Sequence, residues 1–253
     1  MFHIIIPARL KSTRLPRKML LDVDGIPLVV MTAQNALKAN PASLTIATDS
    51  SEIDEVCKKN GFRTILTREN HISGTERLTE AVETLDLNDT DIVVNVQGDE
   101  PLIDTNMISE VANLLDENPD YSIATCGSTF KSTEDFLNPN NVKIVLNKFN
   151  EAIYFSRAPI PWDREKNSDI YKIANPNINH SLHHIGIYAY RVSYLKGYSS
   201  LDSCSLEHME ALEQLRAIYN GHKIKVLRWE GHCHKGIDTQ EDLQILRDLI
   251  STL

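Results

Sequence analysis

Cysteine is scarce in this chain. Four residues in 253, Cys57, Cys126, Cys204 and Cys233, are widely scattered and form no CxxC pair. That excludes a disulfide scaffold and points to reduced thiols in a cytoplasmic setting. No stretch holds the roughly 18 uninterrupted apolar residues of a membrane span, so no membrane insertion is expected. The N-terminus, Met-Phe-His-Ile-Ile-Ile-Pro, lacks a basic segment and a cleavage site, and reads as a mature strand. Positive charge is in the minority, with a formal net charge of -9, which argues against nucleic acid as a partner. Two phosphate-binding signatures are missing as well: neither GxxxxGK[ST] nor GxGxxG follows a predicted strand, which argues against a P-loop enzyme and a NAD-dependent dehydrogenase.

One segment opposes the acidic trend. Between Arg9 and Lys18 there are five basic residues and no acidic one. Such a cluster reads either as a solvated loop or as an anion site.

Short apolar runs alternate with amphipathic stretches. Strands are expected at 2–6, 44–47, 63–66 and 92–96, and helices at 27–38, 51–59 and 75–85, with Asn60-Gly61 as a C-cap. All-apolar strands in this rhythm predict an α/β fold with a mostly parallel, mixed central sheet flanked by helices. Further strands are read at 122–126, 142–146, 152–155, 184–190 and 224–227. A helix is expected at 206–219, with Leu206, Met209, Leu212, Leu215 and Tyr219 on one side and Gly221 as its cap. A closing helix at 239–249 starts on Thr239, with Asp242 completing a capping box. Residues 157–183, rich in Pro, Asn and charge, read as an arm inserted in one domain of 1–253.

Ligands of a parallel sheet bind beyond the C-terminal strand ends. Arg9, Arg14 and Lys18 follow the first strand and suit a triphosphate, since arginine grips phosphate bidentately and lysine adds a point charge. Ser73-Gly74 opens a helix and offers backbone N–H groups to base or ribose oxygens. Gln97-Gly98-Asp99 ends an apolar strand, where a carboxylate facing the basic loop calls for a cation. Mg²⁺ is the natural one, because it takes one or two carboxylates plus phosphate oxygens. Asp238 offers a second carboxylate; it reads equally as a helix-start charge, and Asp99 also as a turn residue. His232-Cys233-His234 has metal-ligand chemistry, but neighbours in an extended loop point to opposite sides, so a solvated loop is the better reading.

With these residues in place, the chain resembles the 3-deoxy-manno-octulosonate cytidylyltransferases, or CMP-KDO synthetases. The resemblance is carried by Ile-Pro-Ala-Arg and Ser-Thr-Arg-Leu-Pro-x-Lys within 6–18, Ala-Thr-Asp at 47–49 and Ser-Gly-Thr-Glu-Arg at 73–77. It continues in Val-Asn-Val-Gln-Gly-Asp-Glu-Pro-Leu-Ile at 94–103, Tyr-Phe-Ser-Arg-Ala at 154–158 and His-Ile-Gly-Ile-Tyr-Ala-Tyr-Arg at 184–191. Leu-Glu-Gln-Leu-Arg at 212–216 and Gly-Ile-Asp-Thr at 236–239 complete it, so it runs nearly end to end. It implies a GT-A-like, Rossmann-like nucleotidyltransferase fold, a homodimer with much of its contact in the arm, and Mg²⁺ dependence. The implied activity is transfer of CMP from CTP to an acidic eight-carbon sugar for lipopolysaccharide biosynthesis. Ala8, Arg9, Arg14, Lys18, Ser73 and Gly74 would hold CTP, and Asp99 and Asp238 the metal. Gln97, Arg157, His184, Tyr188, Glu213 and Gln214 would line the sugar pocket. A sialate or amino-substituted octulosonate acceptor, or a non-catalytic binding protein of the same fold, are the alternatives. Three departures stand out: Arg17 where the family usually has Gly, His183 where an Arg usually precedes His-Ile-Gly, and Trp229 through Lys235 in place of a more apolar, Pro-containing approach.

Overall fold

A computed structural model describes residues 1–71, 73–164 and 178–251. Nine strands form one mixed sheet in the order β11-β7-β10-β6-β1-β4-β5, with β8 paired to β10 and β9 to β8. The parallel half comprises β1 (Phe2–Ala8), β4 (Ser43–Thr48), β5 (Arg63–Leu66) and β6 (Ile92–Asn95). A short hairpin, β2 (Asp22–Val23) with β3 (Ile26–Pro27), lies outside the sheet. The other half contains β7 (Ile123–Thr129), β8 (Lys143–Leu146), β9 (Ala152–Ser156), β10 (Leu182–Arg191) and β11 (Ile224–Trp229). β10 runs antiparallel to β6, β7 and β8, while β11 is parallel to β7.

Alternation along the central strands explains the layering. Ile4 and Ile6 face helices α1 (Leu28–Leu37), α2 (Ser51–Lys59) and α4 (Thr105–Asp116), whereas Ile5 and Val93 face α3 (Gly74–Thr84), α6 (Val192–Gly197) and α8 (Gln214–Tyr219). Both faces are therefore buried, as all-apolar strands require. The remaining helices are α5 (Thr133–Leu137), α7 (Ser205–Glu210) and α9 (Gln240–Ile250). α9 packs Leu243 and Leu246 on Leu15, Leu28 and Ile237, which pins the end of the basic loop. Its start is the expected capping box of Thr239 and Asp242.

The single helix expected at 206–219 is instead two, α7 and α8, separated by Ala211 at φ 50°. Local periodicity suggested one apolar side, yet Met209 is 83% exposed and Tyr219 60%. The break is imposed from outside the segment. Arg157 Nε donates to the Glu210 carbonyl at 2.7 Å, and the Arg157 N–H donates to Glu210 Oε2 at 2.8 Å. Within the arm read at 157–183, residues 165–177 lie outside the described residues; its last part forms a short 3₁₀ turn at Ile178–His180 and enters β10.

Candidate active site

A cleft of about 1100 Å³ opens beyond the C-terminal ends of β1 and β6, where the sheet's connections diverge. The end of β1 supplies Ala8 and the loop after it Arg9, Arg14 and Lys18 to its wall, and the turn after β6 supplies Gln97 and Asp99. Ser73 and Gly74 enter from the start of α3, and Asp238 from the approach to α9. Tyr188 of β10 and Glu213 and Gln214 at the start of α8 close the far side.

Lys18 is the centre of charge. Its residue is only 7% exposed, and its ammonium bonds both Asp99 Oδ2 and, at 2.8 Å, Asp238 Oδ1. Burial opposes its charge, but Asp99 and Asp238 outweigh burial and hold its pKa above the ordinary lysine value. Arg14 pairs with the other Asp238 oxygen at 2.9 Å. Two carboxylates 139 residues apart thus converge on one ammonium. Backbone contacts fix this meeting: Ile237 N–H donates to the Asp99 carbonyl at 2.9 Å. Gly98 is required there, because a Cβ would stand 2.9 Å from Met19 Sδ and 3.2 Å from the Pro7 carbonyl. Burial, and then the neighbouring Asp99 charge, push Glu100 up to about 8.

The basic loop is held from below by residues that the sequence reading left without a role. Asp49 accepts from the Leu10 N–H at 3.2 Å and from Arg77 at 2.9 Å, and Arg77 is 3% exposed. Ala-Thr-Asp and Ser-Gly-Thr-Glu-Arg are thereby one device for shaping the loop. Arg17 adopts φ 56°, ψ 29°, the left-handed conformation that glycine takes without cost, and its side chain pairs with Glu52 in the first turn of α2. Ser73 caps α3 by accepting from the Glu76 N–H at 3.1 Å, which leaves the Gly74 backbone at the cleft. Thr75 joins α3 to the far wall through its bond to Glu213 Oε2 at 2.7 Å.

Arg157 and His184 do not line the cleft. Arg157 braces the Glu210–Ala211 turn, one step behind Glu213 and Gln214. His184 is engaged by Thr125 Oγ1 at 3.0 Å and packs edge-on against Phe155, and burial lowers its pKa to about 3. His183 stacks at a tilt on Phe130. Cys233 and its flanking histidines lie on an exposed stretch, and among the described residues no three His, Cys, Asp or Glu side chains form a metal cage.

The donor set nonetheless fits a hard divalent cation. Asp99 and Asp238 offer carboxylate oxygens close enough to share one ammonium, and an incomplete protein cage is what Mg²⁺ in a phosphate site uses, with phosphate oxygens and water as the other ligands.

A basic loop, a helix start and paired carboxylates at the edge of this sheet define a nucleotidyltransferase fold. The sequence model described as Cytidylyltransferase matches residues 3–224. A 3-deoxy-manno-octulosonate cytidylyltransferase of Francisella philomiragia is 48% identical over 247 residues, covering 98% of this chain and 97% of the relative. That of Polynucleobacter necessarius is 44% identical, covering 99% and 96%. A solved CMP:2-keto-3-deoxy-manno-octonic acid synthetase complexed with CTP superposes with a TM-score of 0.88 at 34% identity, covering 100% of this chain and 99% of that one. A Leptospira borgpetersenii cytidylyltransferase at 20% identity shares the fold, with a TM-score of 0.62. The chain belongs to the 3-deoxy-manno-octulosonate cytidylyltransferases.

Proposed function

We propose that this protein transfers CMP from CTP to the anomeric hydroxyl of 3-deoxy-D-manno-octulosonate, releasing pyrophosphate, as a step toward lipopolysaccharide. The observation that carries the reading is the convergence of Lys18, Arg14, Asp99 and Asp238 at one cleft, in a chain 44–48% identical to enzymes of that name. The hydroxyl oxygen attacks the α-phosphorus and passes its proton to solvent water, while the bond from that phosphorus to the β-phosphate bridging oxygen breaks and its electron pair leaves on pyrophosphate. Arg9, Arg14 and Lys18 grip the triphosphate and spread its charge. Ala8, Ser73 and Gly74 receive the nucleoside through the backbone, while Gln97, Tyr188, Glu213 and Gln214 orient the sugar for in-line attack. Arg157 acts on that wall through the turn at Ala211. Asp99 and Asp238 would hold Mg²⁺, which when bound neutralises phosphate charge and acidifies the attacking hydroxyl.

A homodimer is favoured by β9, which among the described strands pairs with β8 alone and leaves Ile153 54% exposed, with Phe149 59% and Trp162 47% exposed nearby in the chain. Four unpaired cysteines fit a reducing, cytoplasmic compartment, and no described helix is long and apolar enough to cross a membrane. The test is pyrophosphate release from an acceptor panel with CTP, UTP, GTP or ATP. We expect turnover only with CTP and the octulosonate at high rate, because a site that bonds one base edge leaves its groups unpaired with another. Equal turnover with ATP overturns the cytidylyl reading, and preference for a sialate overturns the acceptor.

A further inference from the structure

Among the described residues, four buried side-chain atoms have no hydrogen-bond partner: Thr45 Oγ1, Asn95 Oδ1, Ser181 Oγ and Gln214 Nε2. Only Asn95 and Gln214 line the cleft. Asn95 is the last residue of β6 and is 3% exposed. It sits between Ile5 of β1 and Tyr188 of β10 in register. Directly opposed residues of an antiparallel pair project to the same face, so the Asn95 carboxamide and the Tyr188 ring share one wall. Tyr188 stacks on Tyr190 with centroids 5.5 Å apart. Gln214 joins both tyrosines and Thr75 around a small recess beside the same cleft.

A buried amide oxygen without a donor is costly and uncommon, so its place in a ligand cleft requires a reason. We propose that Asn95 is a further substrate-reading residue, whose side-chain oxygen accepts a hydrogen bond from a ring hydroxyl of the acceptor sugar. The inference rests on the acceptor assignment above. Its neighbours select the sugar and not the phosphates. The cationic groups stand on the loop after β1, whereas Asn95 lies in register with Tyr188, on the side of the cleft where Tyr190, Glu213 and Gln214 give a wall that is aromatic with a few polar groups. A hydroxyl both donates and accepts, and so answers an open oxygen on Asn95 as well as an open N–H on Gln214. Asn95 also lies four residues before Asp99 on one continuous segment, so a sugar held by it is held in register with the carboxylates.

The experiment compares wild type with Asn95→Leu, which keeps size and removes the acceptor, and with Asn95→Ala as the second variant. KM for the octulosonate should rise about tenfold, the effect of one lost hydrogen bond, with KM for CTP and the thermal midpoint little changed. Each enzyme is then assayed with a set of monodeoxy octulosonates. One analogue should lose about tenfold on wild type and nothing further on Asn95→Leu. A raised KM for CTP with an unchanged sugar KM would overturn the proposal and assign Asn95 to the base. So would additive losses on every analogue, or the same losses in proportion to a lowered thermal midpoint, which would make Asn95 structural. Failure of wild type itself to use the octulosonate would instead overturn the acceptor assignment.

Discussion

Replacing Lys18 by Met removes the ammonium and leaves two carboxylates facing each other. The Lys18 side chain is 9% exposed, that of Asp99 22% and that of Asp238 33%. Removing one partner of a buried ion pair costs about 3–5 kcal/mol, and the partial exposure of Asp238 places this case at the lower end, about 3 kcal/mol. Each kcal/mol moves the midpoint of a chain this size by about 2–4 °C, so Lys18→Met should unfold roughly 6–12 °C lower. Two controls separate charge from packing. Millimolar Mg²⁺ should stabilise Lys18→Met more than wild type, because a divalent cation can replace the lost ammonium. The double variant Lys18→Met, Asp99→Asn should recover most of the loss, since it removes the repulsion along with the lysine. Thermal unfolding with and without Mg²⁺ reads all of this. A Lys18→Met protein as stable as wild type in chelator, or a double variant with the summed loss of the two singles, would refute the reasoning.

Two further outcomes follow from backbone strain and buried charge. Arg17→Gly should leave stability unchanged or raise it by up to about 1 kcal/mol, because relief of the left-handed conformation offsets the added freedom of glycine and an exposed ion pair worth little; a loss above that in urea unfolding would contradict it. Lys143 is fully buried and donates to the carbonyls of Asn138 and Arg157 at 2.9 and 2.7 Å, and burial lowers its pKa to about 8. The unfolded chain therefore binds more protons between about pH 8 and 10.5, so stability carried by this group rises across that window. Relative to Lys143→Met, wild type should gain about 3 kcal/mol between pH 7.5 and 10.5; a pH-independent difference would show that Lys143 titrates normally.

Much of the sheet was readable because its strands are buried on both faces. Arg63–Leu66 and Ser51–Lys59 fall where apolar runs and caps place them, and Gly61 takes φ 81° as a C-cap should. Helix Thr105–Asp116 has a local signal that apolar runs alone do not isolate: Asp104 caps it, and Met107, Ile108, Val111, Ala112 and Leu115 are buried at helical spacing. The break at Ala211 was not local, because the groups that fix it arrive from Arg157, 54 residues earlier. For the same reason Arg157 and His184, expected at the sugar, are found bonded behind the wall: motif position does not say which way a side chain turns. The cationic loop and the two aspartates stand out in the sequence because basic residues cluster in an acidic chain and each aspartate follows a strand, and the structure brings Arg14, Lys18, Asp99 and Asp238 together. Asn95 was hidden inside an apolar strand, where only an unpartnered oxygen marks it.

We propose above all that Asp99 and Asp238 act as one centre for transfer to the sugar. The direct measurement is kcat of Asp99→Asn, Asp238→Asn and the double variant at saturating Mg²⁺, CTP and octulosonate. Each single substitution should lower kcat by several kcal/mol of lost charge stabilisation while the fold persists. The double variant should be scarcely slower than either, because both residues serve one site. Near-normal kcat in both singles, or a double loss equal to their sum, would contradict the account and leave these carboxylates as no more than partners of Lys18.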